Sequence, residues 1–274
     1  MIQDIEPFTY HNEYKNISPR EEDYVICVQG RDLLVREDGR DADYPRYGQI
    51  PKKTREEKTF TYLFSVGCMR FFLCRDLQLP GYGFCRIHDL RTAGPKHLVY
   101  AGMVGVQLAG WYERHHFCGR CGHRMQHDSQ ERMMRCPSCG QMEYPKICPC
   151  VIVGILHEDK ILVTRYKGEN RGRYALVAGF TEIGETIEET VHREVMEETG
   201  LHVKNLRYYK CQPWPYSESL LFGFFCQLDG SSKITLEEEE LAMAKWISRD
   251  ELDVVSDDFS LTNEMLCVFK EGGY

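Results

Sequence analysis

One short run, GFTEIGETIEETVHREVMEETGL at residues 179–201, constrains this chain more than any other part of it. Gly179, Glu185, Arg193, Glu194, Val195, Glu197, Glu198, Gly200 and Leu201 follow the spacing G-x5-E-x7-R-E-U-x-E-E-x-G-U, where U is a bulky aliphatic residue. With average residue usage, a chance match has odds of roughly one in many millions per window. Ile187, Val191 and Val195 recur every four residues, which predicts an amphipathic helix laying one stripe on a core. Gly200 is placed to end it, because a residue without Cβ adopts a left-handed conformation readily.

Glu194, Glu197 and Glu198 fall at i, i+3 and i+4 and share a face. Acids on a helix usually mark a solvated face. Stepping about 100° per residue from Glu194, however, puts Glu198 at roughly 40°, between Ile187 at roughly 20° and Val191 at roughly 60°. A carboxylate inside the apolar stripe does not serve solubility, and like charges at this spacing repel. A divalent cation resolves both conflicts. Carboxylate oxygens without a soft donor favour Mg²⁺ or Mn²⁺, which share coordination with substrate phosphates and lower the pKa of a bound water. Arg193, one turn before Glu197, is placed to orient that carboxylate by a charge-assisted bond; the alternative is a solvated helix arginine.

This spacing is the Nudix box, and the chain resembles the Nudix hydrolases, which hydrolyse nucleoside diphosphates linked to another moiety. The resemblance implies an α/β (α+β) chain whose C-terminal part is a Nudix α/β/α sandwich, with the box in a strand-loop-helix-loop unit. It implies Glu194, Glu197 and Glu198 as metal ligands, one of them a candidate general base, and Glu185 as an auxiliary catalytic carboxylate.

Downstream lies CQPWPYSES at 211–219. Pro213 and Pro215 restrict the backbone on either side of Trp214 and remove two amide donors. Trp214 or Tyr216 is then either a flat surface for a base or an ordinary loop tryptophan and its neighbour packed on the core. The segment resembles the SQPWPFPxS signature of NADH pyrophosphatases. Gln212, Pro213, Trp214, Pro215 and Ser219 match it, while Cys211, Tyr216 and Ser217 depart from it, and the whole loop including Glu218 is expected to bind substrate.

Upstream, Cys118, Cys121, Cys136 and Cys139 form two C-x-x-C pairs. Four thiolates so spaced suit tetrahedral zinc with every position filled, hence a structural site. Disulfides are the competing explanation. The N-terminal residues MIQDIEPFTYHNEY lack a basic and an apolar region, so no secretory signal is evident, and thirteen cysteines is an odd number. A reducing cytoplasm is the expected compartment.

A zinc ribbon also precedes the catalytic domain in bacterial NADH pyrophosphatases, which remove NAD caps from RNA. The resemblance covers roughly residues 90 to 265. Position by position it implies substrate contacts at Glu131, Tyr144 and Ala178, a further one at Arg91, and a fourth metal-ligand glutamate at Glu240. Because LEEEEL holds four consecutive acids, a neighbour is the alternative to Glu240; the fixed distance to Trp246 favours Glu240. Relatives are homodimers, which is the expected assembly.

A length of 274 residues accommodates two domains and a small metal module. The expected division is an N-terminal Nudix-like, non-catalytic α/β domain at 1–110, a zinc ribbon at 111–146 and the catalytic domain at 147–274. YVICVQGRDLLVRE and FTYLFSVGCMRFFLCRD predict strands, the polar run at 36–58 predicts a loop, and HLVYAGMVGVQLAGWYERH predicts a helix. CVIVGILHEDKILVTRY predicts a hairpin, with later strands in VKNLRYYKCQ, SLLFGFFCQL and AKWISRD and a final helix in FSLTNEMLCVFK. Cys148 and Cys150 fit core packing better than metal ligation. No apolar run approaches the roughly 20 residues that span a bilayer. A net charge of −8 argues against nonspecific nucleic-acid binding as the main activity.

The expected function is metal-dependent hydrolysis of the NAD(H) pyrophosphate to nicotinamide mononucleotide and AMP. Removal of NAD caps from RNA is a second activity of the same site, for which arginines around the ribbon offer a modest basic excess. The alternatives are a broad dinucleoside polyphosphate hydrolase and a non-catalytic nucleotide sensor.

Overall fold

The computed structural model describes residues 1–37, 41–167, 174–236 and 241–274. They divide into two units, Ile2–Lys146 and Met1 with Ile147–Tyr274.

In the first unit the strands are β1 (Tyr10–His11), β2 (Tyr24–Ile26), β3 (Val28–Gln29), β4 (Asp32–Arg36), β5 (Thr61–Val66), β6 (Met69–Leu73) and β7 (Tyr82–Arg86), of which β2 to β6 fall in the predicted segments and β1 and β7 do not. They build a four-stranded sheet ordered β1-β5-β6-β2 and a three-stranded sheet ordered β3-β4-β7. The loop expected at 36–58 is corrected: it contains a short helix, α1 (Lys52–Glu57). KKTREE buries no residue, so it has no apolar period to read; its side chains pair instead as Lys52–Glu56 at 3.9 Å and Lys53–Glu57 at 4.0 Å. The predicted long helix is α2 (Lys96–Arg114), and it is buried on several sides, from Leu98 to Tyr112.

Three two-residue strands follow, β8 (Gln126–His127), β9 (Met134–Arg135) and β10 (Met142–Glu143), in an antiparallel ribbon ordered β10-β9-β8. Arg132 fastens this ribbon to the strands of the same unit by donating to the Asn12 carbonyl at 2.9 Å and to the Leu63 carbonyl.

The second unit contains β11 (Cys148–His157), β12 (Lys160–Tyr166), β13 (Val177–Phe180), α3 (Ile187–Thr199), β14 (His202–Trp214), β15 (Ser219–Asp229), β16 (Leu241–Ser248) and α4 (Leu261–Lys270). The sheet runs β14-β15-β11-β12-β16, with β13 also paired to β11. Strands β11 and β12 make the expected hairpin, whereas β11 and β15 run parallel from Cys148↔Ser219 to Leu156↔Gln227.

Alternation along β11 explains the layers. Val151, Val153 and Ile155 pack in one cluster with Val191 and Val195 of α3. Cys150 and Ile152 point the other way, into a cluster with Met265 and Phe269 of α4. A strand buried on both faces needs apolar residues at both phases, which is why CVIVGIL reads as a continuous run. The sheet therefore lies between α3 and α4, an α/β/α sandwich. Cys150 is a core thiol, its pKa pushed up to about 12 by burial. Among the described residues no helix is long and apolar enough to cross a membrane.

Candidate active site

Helix α3 starts as its sequence dictates. Thr186 caps it, accepting from the Glu189 amide at 3.2 Å, while the Glu189 carboxylate accepts from the Thr186 amide at 2.7 Å. Gly200 ends it at a φ of 67°, the left-handed stop. Val191 and Val195 are fully buried, and Glu198 beside them is only 2% exposed. The angular reading of the sequence thus matches the burial of that carboxylate.

Glu194 approaches the backbone of β13. A Cβ on Gly179 would stand 1.9 Å from the Glu194 Cδ, so only glycine leaves room for the carboxylate there. Glu194 is 13% exposed at its side chain and Glu197 57%, so the three acids run from buried to solvated across one helix end.

Arg193 ties this end together. Its Nη1 donates to Glu194 at 2.7 Å and to Glu197 at 2.9 Å, and its Nη2 donates to the Phe180 carbonyl at 2.8 Å. Its Nε and Nη2 hold Glu185 at 2.5 and 2.9 Å. Glu185 also accepts from Thr190 Oγ1 at 3.1 Å and the Glu182 amide at 2.9 Å. These donors, Arg193 first, pull its carboxyl down to about 2. Arg193 therefore binds Glu197, as its position suggested, but Glu185 and Glu194 as well.

Among the described residues, only the four ribbon cysteines bring three or more metal-binding atoms within 4.8 Å of one another. Sulfur separations are 3.6 Å for Cys118–Cys139, 3.5 Å for Cys121–Cys136 and 3.4 Å for Cys121–Cys139. A disulfide needs about 2.05 Å. A tetrahedron with Zn–S of about 2.3 Å has edges of about 3.8 Å. The cage geometry fits zinc, and the Cys139 amide, leading several donors, lowers the Cys136 thiol to about 6.

The loop after the box is a hairpin turn, Pro215–Glu218, between β14 and β15. Trp214 is half-buried against the α4-side cluster, 5.1 Å from the Tyr216 ring and 5.8 Å from Phe259. Ser217 is exposed, Glu218 has a φ of 58°, and Ser219 is buried with its hydroxyl 2.8 Å from that of Ser217. Pro213 is half-buried and Pro215 buried. Gln212 is fully buried and holds the backbone ahead of α4, donating to the Phe259 carbonyl and accepting from the Leu261 amide, both at 2.8 Å. Ala178 sits in β13 with its carbonyl 3.4 Å from the Tyr166 hydroxyl, which is equally distant from Glu198.

In the first unit, Tyr144 is 53% exposed and donates to Glu131 at 2.8 Å. Arg91 lies there too, in the single turn Asp89–Thr92. Glu240 lies outside the described residues. Sequence reasoning passed over Tyr166 and Phe180. Phe180 is 50% exposed where β13 enters the box, an aromatic ring next to the acids. Its one signal was an apolar residue immediately after the box glycine.

Residues 148–265 match the family model described as NUDIX domain, and residues 113–144 match the one described as NADH pyrophosphatase zinc ribbon domain. The chain carries a Nudix domain behind a zinc ribbon. Proteins named NAD-capped RNA hydrolase NudC from Salmonella heidelberg (strain SL476) and Salmonella typhi are 46% identical to it over 151 residues. That stretch is 55% of this chain and 58% of each relative, so the match spans little more than half of their length. A solved Nudix hydrolase from Nitrosomonas europaea is 22% identical with a TM-score of 0.48, covering 57% of this chain and 90% of that one. The Nudix domain contains the whole of α3, and the ribbon match contains all four cysteines.

Proposed function

We propose that this chain hydrolyses the pyrophosphate of NAD(H) to nicotinamide mononucleotide and AMP, and removes the NAD cap from RNA 5′ ends by the same reaction, releasing nicotinamide mononucleotide and leaving a 5′-monophosphate on the RNA. The observation that carries the reading is Glu198, a carboxylate 2% exposed within an apolar stripe. Together with Glu194 and Glu197 it gathers negative charge at one helix end, which a divalent cation would offset. The candidate donors are all oxygens, as Mg²⁺ and Mn²⁺ prefer, and the ion would have to draw together carboxylates that do not all stand within 4.8 Å of one another. Bound there, the ion neutralises phosphate charge and makes a water nucleophilic near neutral pH.

Glu194, Glu197 and Glu198 are the proposed ligands, with Glu240, beyond the described residues, as the fourth. Glu185 acts through Arg193, keeping the guanidinium against Glu194 and Glu197. The water oxygen forms a bond to one phosphorus while the bond from that phosphorus to the bridging oxygen breaks. The water's proton passes to a glutamate, and the bridging oxygen leaves with the other phosphate. Trp214, Tyr216, Ser217 and Glu218 offer a surface for a base, and Ala178, Glu131, Tyr144 and Arg91 are proposed as further contacts.

The zinc cage is structural in this reading, and residues 1–110 do no chemistry. A homodimer in the cytoplasm is the proposed working form; thirteen free cysteines support a reducing compartment.

Replacing Glu198 with Gln tests the proposal. NADH cleavage with added Mn²⁺ should fall by at least about a hundredfold while the fold, followed by circular dichroism, persists. Undiminished cleavage would remove the central claim.

A further inference from the structure

The first knuckle of the ribbon carries a surface that neither the cysteine cage nor the acidic site uses. Phe117 is 66% exposed, although a phenylalanine ring gains most from burial. The Cys118 amide bonds the His123 carbonyl and the Met125 amide bonds the His116 carbonyl, both at 2.8 Å, so Phe117 and Arg124 face each other across an antiparallel bridge. In such a pair the two side chains leave the backbone on the same side and close together. Arg120, also exposed, stands at the knuckle between them in sequence.

Neither Arg120 nor Arg124 has a carboxylate partner among the described residues, while the nearby acids are engaged. Glu113 is held by Arg75 at 2.7 Å, Asp128 by Arg135 at 3.4 Å, and Glu131 by Tyr144 at 2.8 Å. Two arginines beside four thiolates also serve to balance the cage's negative charge, and that alone would explain them. It does not explain a bare aromatic ring opposite Arg124 on the bridge. An exposed ring paired with one arginine and followed by a second on the same knuckle offers what stacks an unpaired base and meets its phosphates.

We propose that Phe117, Arg120 and Arg124 form a stacking platform for single-stranded RNA, gripping the nucleotide chain of a capped substrate. The idea rests on the reading that capped RNA is a substrate, but its test does not pass through turnover. Binding of an uncapped 12-nucleotide RNA is measured by fluorescence anisotropy at several salt concentrations, with zinc content checked for each variant. Phe117→Ala should weaken binding about tenfold, and Phe117→Trp should restore it. Arg120→Gln with Arg124→Gln should flatten the salt dependence by about 1.4 in slope, two single-strand phosphate contacts. Free NADH cleavage should be unchanged in all of them.

RNA affinity untouched by either change, or absent from the wild type, overturns the platform. So does loss of self-association in Phe117→Ala without loss of RNA affinity, because a second copy then covers the ring. Failure of the wild type to cleave NADH would instead overturn the enzymatic reading and leave the binding result standing.

Discussion

The carboxylate carbon of Glu194 lies 1.9 Å from the point where a Cβ of Gly179 would be, so strand β13 and helix α3 meet through a side chain resting on bare backbone. Gly179→Ala forces the Glu194 carboxylate off this seat. We expect NADH cleavage to drop roughly a hundredfold, the scale at which a displacement of about 1 Å costs activity. A melt and a kcat measurement on the same preparation check this; wild-type kcat would show that Glu194 needs no such seat.

Glu185 makes stability depend on acid. Its folded-state carboxyl titrates at about 2, against an ordinary value of 4.5, because Arg193 and then the Glu182 amide favour its charged form. Such a group contributes stability that is fully present above the ordinary value and is lost as pH falls through the folded one. Urea midpoints of wild type and Glu185→Gln should differ at pH 7 and converge steadily below about pH 4.5. A gap that widens on acidification contradicts the assignment.

Gln212 should behave as a structural residue. Gln212→Ala leaves the Phe259 carbonyl and the Leu261 amide buried without their partner, at about 1–3 kcal/mol each. Urea unfolding is the measurement, together with KM for NADH. Lost stability with an unchanged KM is expected, whereas a raised KM at full stability would return Gln212 to the substrate.

The four ribbon cysteines should hold stoichiometric zinc, and a strong chelator should unfold the Ile2–Lys146 unit cooperatively. Metal analysis and calorimetry with and without chelator decide it. Non-reducing mass spectrometry that finds Cys118, Cys121, Cys136 and Cys139 in disulfides would refute the cage.

Helix α3 was fully legible because its stripe, its glycine stop and its acids each follow a short-range rule. The same holds for the β11–β12 hairpin and the zinc knuckles. Helix α1 was hidden because its stabilising pairs are all polar and leave no stripe to detect. The parallel pairing of β11 with β15 joins residues about seventy positions apart, as Cys148↔Ser219 shows, and no local pattern encodes it. The bonds of Gln212 were hidden for a related reason: a motif singles the residue out, and only the fold brings the Phe259 carbonyl and the Leu261 amide to it.

Arg193 has one further consequence. The guanidinium at the centre of Glu185, Glu194 and Glu197 travels with the chain as a built-in counter-ion. Repulsion between those acids is therefore offset within the protein rather than by dissolved salt, which at 0.01 M screens only charges more than about 30 Å apart. The acidic corner of the sandwich should keep its shape in dilute buffer, before any divalent ion is added.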